Sequence, residues 1–193
     1  MKKILMLAAV GLTAAAVAGC GGGSSPGAAG STATPSATTT SQASGAAVLP
    51  VAKNPIVNTS TTPGLTVTKV LVENNVDPAT GKAVGDHLEI ALKNSSAKPV
   101  DQVAVYYAIS DAKTGASEGY YAKLTGVTID RGATRVINFD EKVAVDHYPV
   151  NKYSLYYTDK NALVIDVTAS APGFKPATFS VKKDAGGAEA GVE

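Results

Sequence analysis

From Leu65 to about Lys183, apolar residues recur at every second position. Leu88, Ile90 and Leu92 alternate with Glu89, Ala91 and Lys93, and Val103, Val105, Tyr107 and Ile109 with Gln102, Ala104, Tyr106 and Ala108. Leu163, Ile165, Val167 and Ala169 alternate with Val164, Asp166 and Thr168, and Phe179 and Val181 with Thr178, Ser180 and Lys182. A period of two turns successive side chains to opposite faces of an extended chain, so each run offers one apolar face to a core. Leu65 to Glu73 is strand-like but out of phase with itself: Val70 and Val72 fall on the face opposite Leu71. Further strands are expected at Gly119 to Leu124, Val127 to Asp130, Arg135 to Phe139 and Tyr153 to Tyr157. Turn residues separate the runs, at Asp77 to Lys82, Asn94 to Pro99, Asp111 to Gly115, Asp130 to Gly132, Asp159 to Asn161 and Ala171 to Gly173. No stretch of ten or more residues carries helical spacing. Seven to nine short strands in about 119 residues predict an all-β fold, an antiparallel sandwich, with a closed barrel as the alternative.

The strand pattern resembles the immunoglobulin-like or fibronectin-like sandwich in architecture. The chain has no Trp and a single Cys, so the Cys–Trp–Cys core of antibody domains is absent. Ala171 to Val181, APGFKPATFSV, resembles the last hairpin of exported bacterial immunoglobulin-like modules, a likeness that specifies no ligand.

The amino terminus is built differently. Met1-Lys2-Lys3 is a short positive segment, and Ile4 to Val17 carries no charge. Small residues follow, the layout of a secretory signal peptide over residues 1–19. The apolar run is shorter than the roughly 20 residues a membrane-spanning helix needs. Val17-Ala18-Gly19-Cys20 resembles the lipobox of bacterial lipoproteins, with Val where Leu is commoner. That resemblance implies a diacylglyceryl group on the sulfur of Cys20, cleavage before it, and a cell-membrane location, lipid-anchored on the extracytoplasmic face. Two or three acyl chains anchor firmly where one binds marginally. Ordinary cleavage after Ala18 is the rival reading. Loss of Lys2 and Lys3 leaves fifteen basic and sixteen acidic residues, a mature charge of −1.

Residues 20–63 read as a tether. Gly, Ser, Thr, Ala and Pro dominate from Gly21 to Pro63, Lys53 is the only charge, and no aromatic residue occurs. Such composition cannot bury enough apolar surface to offset its ordering entropy, so a flexible linker is expected. Val48 to Val57 is its more apolar part and the piece able to dock on the domain. The organisation expected is therefore a signal peptide (1–19), a lipidated Cys and linker (20–63), a sandwich (64–183) and a disordered acidic tail (184–193).

Net charge is +1 with 17% charged residues, which gives no basic patch for nucleic acid. One Cys and two His cannot make a four-ligand zinc site. Both His follow Asp, at Asp86-His87 and Asp146-His147, but strand neighbours face opposite ways, so neither dipeptide supplies two ligands. No metal and no cofactor is expected. No nucleophile elbow, zinc-protease helix or phosphate loop occurs, and Gly21-Gly22-Gly23 lacks the strand and helix a phosphate loop needs. The only thiol is committed to the anchor, so no enzyme is expected.

Three pairs of adjacent tyrosines remain: Tyr106–Tyr107, Tyr120–Tyr121 and Tyr156–Tyr157. On a strand each pair presents one ring to either face. Cross-strand packing alone accounts for such rings. An outward platform of Tyr106, Tyr120 and Tyr156, joined by Tyr148 and Tyr153 beside the long Asp140 to Asn151 connection, is the candidate binding surface for an envelope protein or glycan. The function expected is a non-catalytic binding or structural role in the cell envelope. The alternatives are a small-molecule or metal-binding accessory lipoprotein of an uptake system, or a hydrolase of envelope polymers.

Overall fold

The alternating runs become strands that bury their apolar faces against one another. The structure, a computed structural model, describes residues 47–73, 79–81 and 87–186. The expected signal peptide, Cys20, the tether up to residue 46, half of the Asp77 to Lys82 turn and the tail beyond residue 186 lie outside the described residues.

Among the described residues the strands are β1 (Leu49–Pro50), β2 (Leu65–Val72), β3 (Leu88–Asn94), β4 (Ala104–Asp111), β5 (Ser117–Lys123), β6 (Thr134–Asp140), β7 (His147–Pro149), β8 (Leu163–Ser170) and β9 (Ala177–Lys183). One helical turn, α1 (Leu155–Thr158), precedes β8. They form two sheets, in the orders β1-β5-β4-β8-β9 and β2-β3-β6-β7. Setting aside the short β1 and β7, the first, second and fifth strands share one sheet, and the third, fourth, sixth and seventh the other. That partition is an immunoglobulin-like sandwich with β5 carried beside β4. All pairings are antiparallel except β6 with β7, which is parallel.

The core lies between the sheets. Ile90, Leu92, Ile109, Ile137, Phe139, Leu163 and Ile165 are almost wholly withdrawn from water. Each such side chain contributes about 1.5–3 kcal/mol by burial. The phase break in β2 is a β-bulge: register shifts between Val67 and Lys69. Thr68 is the extra residue, so Leu65 and Val67 point inward before it and Val70 and Val72 after it.

Two expected strands are not strands. Val127 to Asp130 makes only one bridge, between Val100 and Ile129. Tyr153 to Tyr157 contains the helical turn instead. The Ser154 carbonyl accepts the Tyr157 and Thr158 N–H groups, each at 3.1 Å. The Leu155 N–H donates to the Glu118 carboxylate at 2.6 Å, so the turn is capped from β5 rather than by its own residues.

The tether boundary also moves. Residues 47–63 lie against the sandwich, so the ordered domain starts well before Leu65. Leu49 and Pro50 pair with Tyr121 and Tyr120 on the edge of β5, and the Val51 N–H donates to the Gly119 carbonyl at 2.9 Å. A Cβ at Gly119 would stand 3.0 Å from the Val51 carbonyl oxygen and 2.9 Å from the Tyr106 hydroxyl, so any larger residue would have to push the strap or the ring aside. The segment then crosses to β8, where the Asn58 amide donates to Ser170 Oγ, the Ala171 carbonyl and the Phe174 carbonyl at 2.8, 3.0 and 2.9 Å. Hydrogen bonds, not apolar burial, hold this strap, which is why its composition reads as linker.

Candidate functional site

β2 lies against β9 on one side of the sandwich. On the other side the edges are β1–β5 and β7, and the connection from β6 to β8 closes the gap between them. Its inward residues set its path. Tyr148 is fully buried and its ring lies 5.8 Å from that of Phe139. The Asn151 amide donates to the Tyr120 hydroxyl at 3.0 Å. With the Glu118 cap on Leu155, these contacts fasten the connection to β5.

Asp140, Glu141 and Asp146 at its start each meet a basic side chain. Arg135 grips Asp146 through Nε at 3.0 and 2.9 Å and Nη2 at 2.9 Å, holding Asp146 in the left-handed region at φ 64°. His147 Nδ1 lies 2.7 Å from Asp140 Oδ2, and Lys152 pairs with Glu141. His147 thus turns to Asp140 and not to its neighbour Asp146, as strand geometry requires.

His87 sits at the same end of the sandwich in a buried polar cluster. Its Nδ1 and its backbone N–H both meet Glu73 Oε2, at 2.8 and 3.1 Å. The Tyr156 hydroxyl accepts the Glu73 N–H at 2.9 Å and donates to the His87 carbonyl at 2.7 Å. Lys183 Nζ stands 4.8 Å from the centre of the Tyr156 ring. Asp86, its sequence neighbour, lies outside the described residues. Among the described residues no three His, Cys, Asp or Glu side chains form a metal-binding group.

The expected tyrosine platform is corrected by burial. Tyr120, Tyr148 and Tyr156 are core residues, each less than a twentieth exposed. Tyr106 is half-buried in β4, and Tyr153 alone of the five is open, at 88%. Tyr106–Tyr107 and Tyr120–Tyr121 do split between faces, with register deciding which ring goes in, whereas Tyr156–Tyr157 lies in α1 with its two ring centres 5.1 Å apart. Tyr107 faces Tyr120 across β4 and β5, and Tyr106 faces Tyr121. Cross-strand partners share a face, so Tyr107 and Tyr120 enter the core together and stack with ring centres 5.3 Å apart.

Tyr107 and Tyr156 border a small cavity among the described residues, lined also by Leu88, Phe139, Val150 and Ser154. Its volume is about 10 Å³, room for one water and not for an organic ligand. Burial raises the Tyr107 hydroxyl well above the usual phenol range and the Tyr120 hydroxyl in the same direction, so both stay neutral. Burial also raises the Glu118 carboxyl, against hydrogen bonds from Leu155 and Tyr120. The arrangement locks a connection in place.

The connection leaves three large apolar side chains exposed among its charged ones: Val143 at 89%, Val145 at 45% and Tyr153 at 88%. The Lys152–Glu141 ion pair draws the Val143 and Tyr153 stretches together. Sequence reasoning missed the two valines, Glu118 and Asn58. Only Asn58 left a local signal: Asn54 and Asn58 each accept the N–H two residues on, at 2.9 Å, the mark of an extended chain punctuated by Asx turns.

No family model matches the chain, and no curated protein matches it. Solved structures with partial likeness include the Pseudomonas fluorescens alkylpurine DNA glycosylase AlkC bound to DNA, at 18% identity and TM-score 0.36 over 62% of this chain and 30% of that one. The CARDB domain of a Pyrococcus furiosus protein in complex with di-metal ions shares 17% identity at TM-score 0.35, over 68% of this chain and 97% of that one. The ApaA protein of Bordetella pertussis shares 15% identity at TM-score 0.36, over 63% and 90%. Likeness at this level carries no argument about function, so the reading of this chain rests on its own residues.

Proposed function

We propose that the protein is a lipoprotein held by Cys20 on the extracytoplasmic face of the cell membrane. There it displays an immunoglobulin-like sandwich in a non-catalytic binding or structural role in the envelope. The observation that carries this reading is Val17-Ala18-Gly19-Cys20 directly after the uncharged run from Ile4 to Val17, upstream of a sandwich that begins at β1. The sandwich supports a presenting role because several of its polar groups are spent on structure: Glu118 caps α1, Asp146 holds Arg135, and Glu73 holds His87. Radiolabelled fatty acid should enter the parent protein in cells and not the Cys20→Ala variant. Equal labelling of the two would refute the anchor.

A further inference from the structure

Tyr107 carries a buried hydroxyl with no hydrogen-bond partner among the described residues. Its ring stacks on Tyr120 and meets Phe139 edge-on, with centres 5.3 and 5.1 Å apart, and only 4% of the residue is exposed. Burial acts on its hydroxyl first, and then the nearby Tyr120, Tyr157 and Glu118 groups, without a hydrogen bond to any of them. A phenol this deep sheds its hydration on folding, and leaving its O–H bare costs as much as a lost hydrogen bond. Packing needs the ring at this position and has no use for the oxygen.

Tyr107 lines the small cavity between the sheets, with Asn151 and Ser154 as its other polar neighbours from the β6–β8 connection. The Tyr120 hydroxyl donates to Glu118 and accepts from the Asn151 amide and the Ser154 hydroxyl. With one hydrogen and two lone pairs spent, it has nothing left for Tyr107. Ser154 is 3% exposed and its hydroxyl does not cap α1. Having given its hydrogen to Tyr120, it keeps lone pairs to accept with. Asn151 Oδ1 accepts the Tyr153 N–H at 3.0 Å and keeps one lone pair more. The cavity therefore has a donor on β4 and acceptors on the connection. None of its lining side chains is charged, which suits a neutral molecule over an ion. A volume of about 10 Å³ and two to four polar partners are what one buried water requires.

We propose that this cavity is a binding site for a single water, which accepts the Tyr107 O–H and donates to Ser154 Oγ, with Asn151 Oδ1 as its third partner. The water ties β4, the middle strand of its sheet, to the residue before α1, so the connection is fastened to the centre of the sandwich as well as to β5. Tyr107→Phe removes the oxygen and keeps the ring. With the water in place, its folding equilibrium constant in urea titrations should fall roughly fivefold, the worth of one net hydrogen bond. A bare hydroxyl predicts the opposite sign, because the substitution would then relieve a desolvation cost. Ser154→Ala should cost less in the Tyr107→Phe background than in the parent, since one water serves both groups. Crystals of the protein should show a water within about 3.2 Å of Tyr107 Oη and Ser154 Oγ, and crystals of Tyr107→Phe should lose it. An unchanged or larger folding constant, additive losses for the two substitutions, or crystals in which no water reaches Tyr107 Oη would each overturn the site.

Discussion

Asn58 is the pin that turns linker composition into an ordered strap, and Asn58→Ala measures what that pin contributes. Its Nδ2 offers two hydrogens to three acceptors, Ser170 Oγ and the Ala171 and Phe174 carbonyls, so one hydrogen is shared. Its Oδ1 accepts the Ser60 N–H at 2.9 Å. A net contribution of about 1 kcal/mol per bond gives about 3 kcal/mol for the group. Water can replace part of this at a half-buried site, which brings the expected loss to about 2 kcal/mol. The residual cost comes from the acceptors, because Ser170 and Ala171 are themselves buried.

The loss should appear as local opening before it appears as global unfolding, since most strap residues from Ala52 to Pro63 are exposed and add little apolar burial. Lys53 is the only basic residue between Gly21 and Pro63, so trypsin reports this segment at a single bond. If cleavage follows strap opening, 2 kcal/mol corresponds to roughly 30-fold faster cutting at Lys53 in the variant. Limited digestion of the parent with a protease of broad specificity should leave a core beginning near Ala47 rather than near Pro63. A cleavage rate within about twofold of the parent would show that Asn58 does not hold the strap and refute the argument.

Three further outcomes follow from named groups. Hydrogen bonds from Thr114, the Lys113 backbone and Asn161 hold the Asp111 carboxyl at about 2, against burial. Its ionised form therefore stabilises the fold above the ordinary Asp range near 4, and that stability is lost as pH falls towards 2. Asp111→Asn should be less stable than the parent at neutral pH in urea titrations, with the gap narrowing across that window; a constant gap refutes it. Glu118 is shifted the other way, so its folded form favours the proton and its charged form is penalised at neutral pH. Glu118→Gln, which keeps an acceptor for Leu155, should match or exceed the parent at neutral pH, with any gap closing in acid; a clear loss at neutral pH would count against the burial argument. Tyr156→Phe strips a partner from the buried Glu73 N–H and His87 carbonyl and should cost about 1–3 kcal/mol. Tyr153→Ser should stay within about 0.5 kcal/mol, and similar losses for the two would contradict their placement by thermal melts.

Much of the sandwich is legible in the sequence because sheet burial writes itself as alternation. β3, β4, β8 and β9 follow their apolar runs, and the phase break in Leu65 to Glu73 is the trace of the Thr68 bulge. The tyrosine faces were legible too, but only through register. The Asp111 to Gly115 turn is plain, and counting outward from it pairs Tyr107 with Tyr120 and Tyr106 with Tyr121. Judging each tyrosine pair alone discards that information. Other features are not local. Ser154 to Thr158 is too short to show a period, and what makes it helical is a carboxylate 37 residues earlier. The strap is hidden because its partners are backbone carbonyls, which leave no mark on composition.

The β6–β8 connection shows why buried and exposed residues of one loop answer to different constraints. Tyr148 and Tyr156 are fixed by the core: removing either ring costs several kcal/mol, as for any large buried side chain. Those same anchors, with Asn151 and Glu118, fix the backbone between them, so Tyr153 stands at a set position without contributing to stability. A patch held in this way loses little conformational entropy when it meets a surface, because its backbone is already ordered. The residues that make the loop stable and those that make it sticky are therefore separable by mutation. Substitutions at 143, 145 and 153 should alter contact without moving the melting temperature, and substitutions at 148 and 156 should do the reverse.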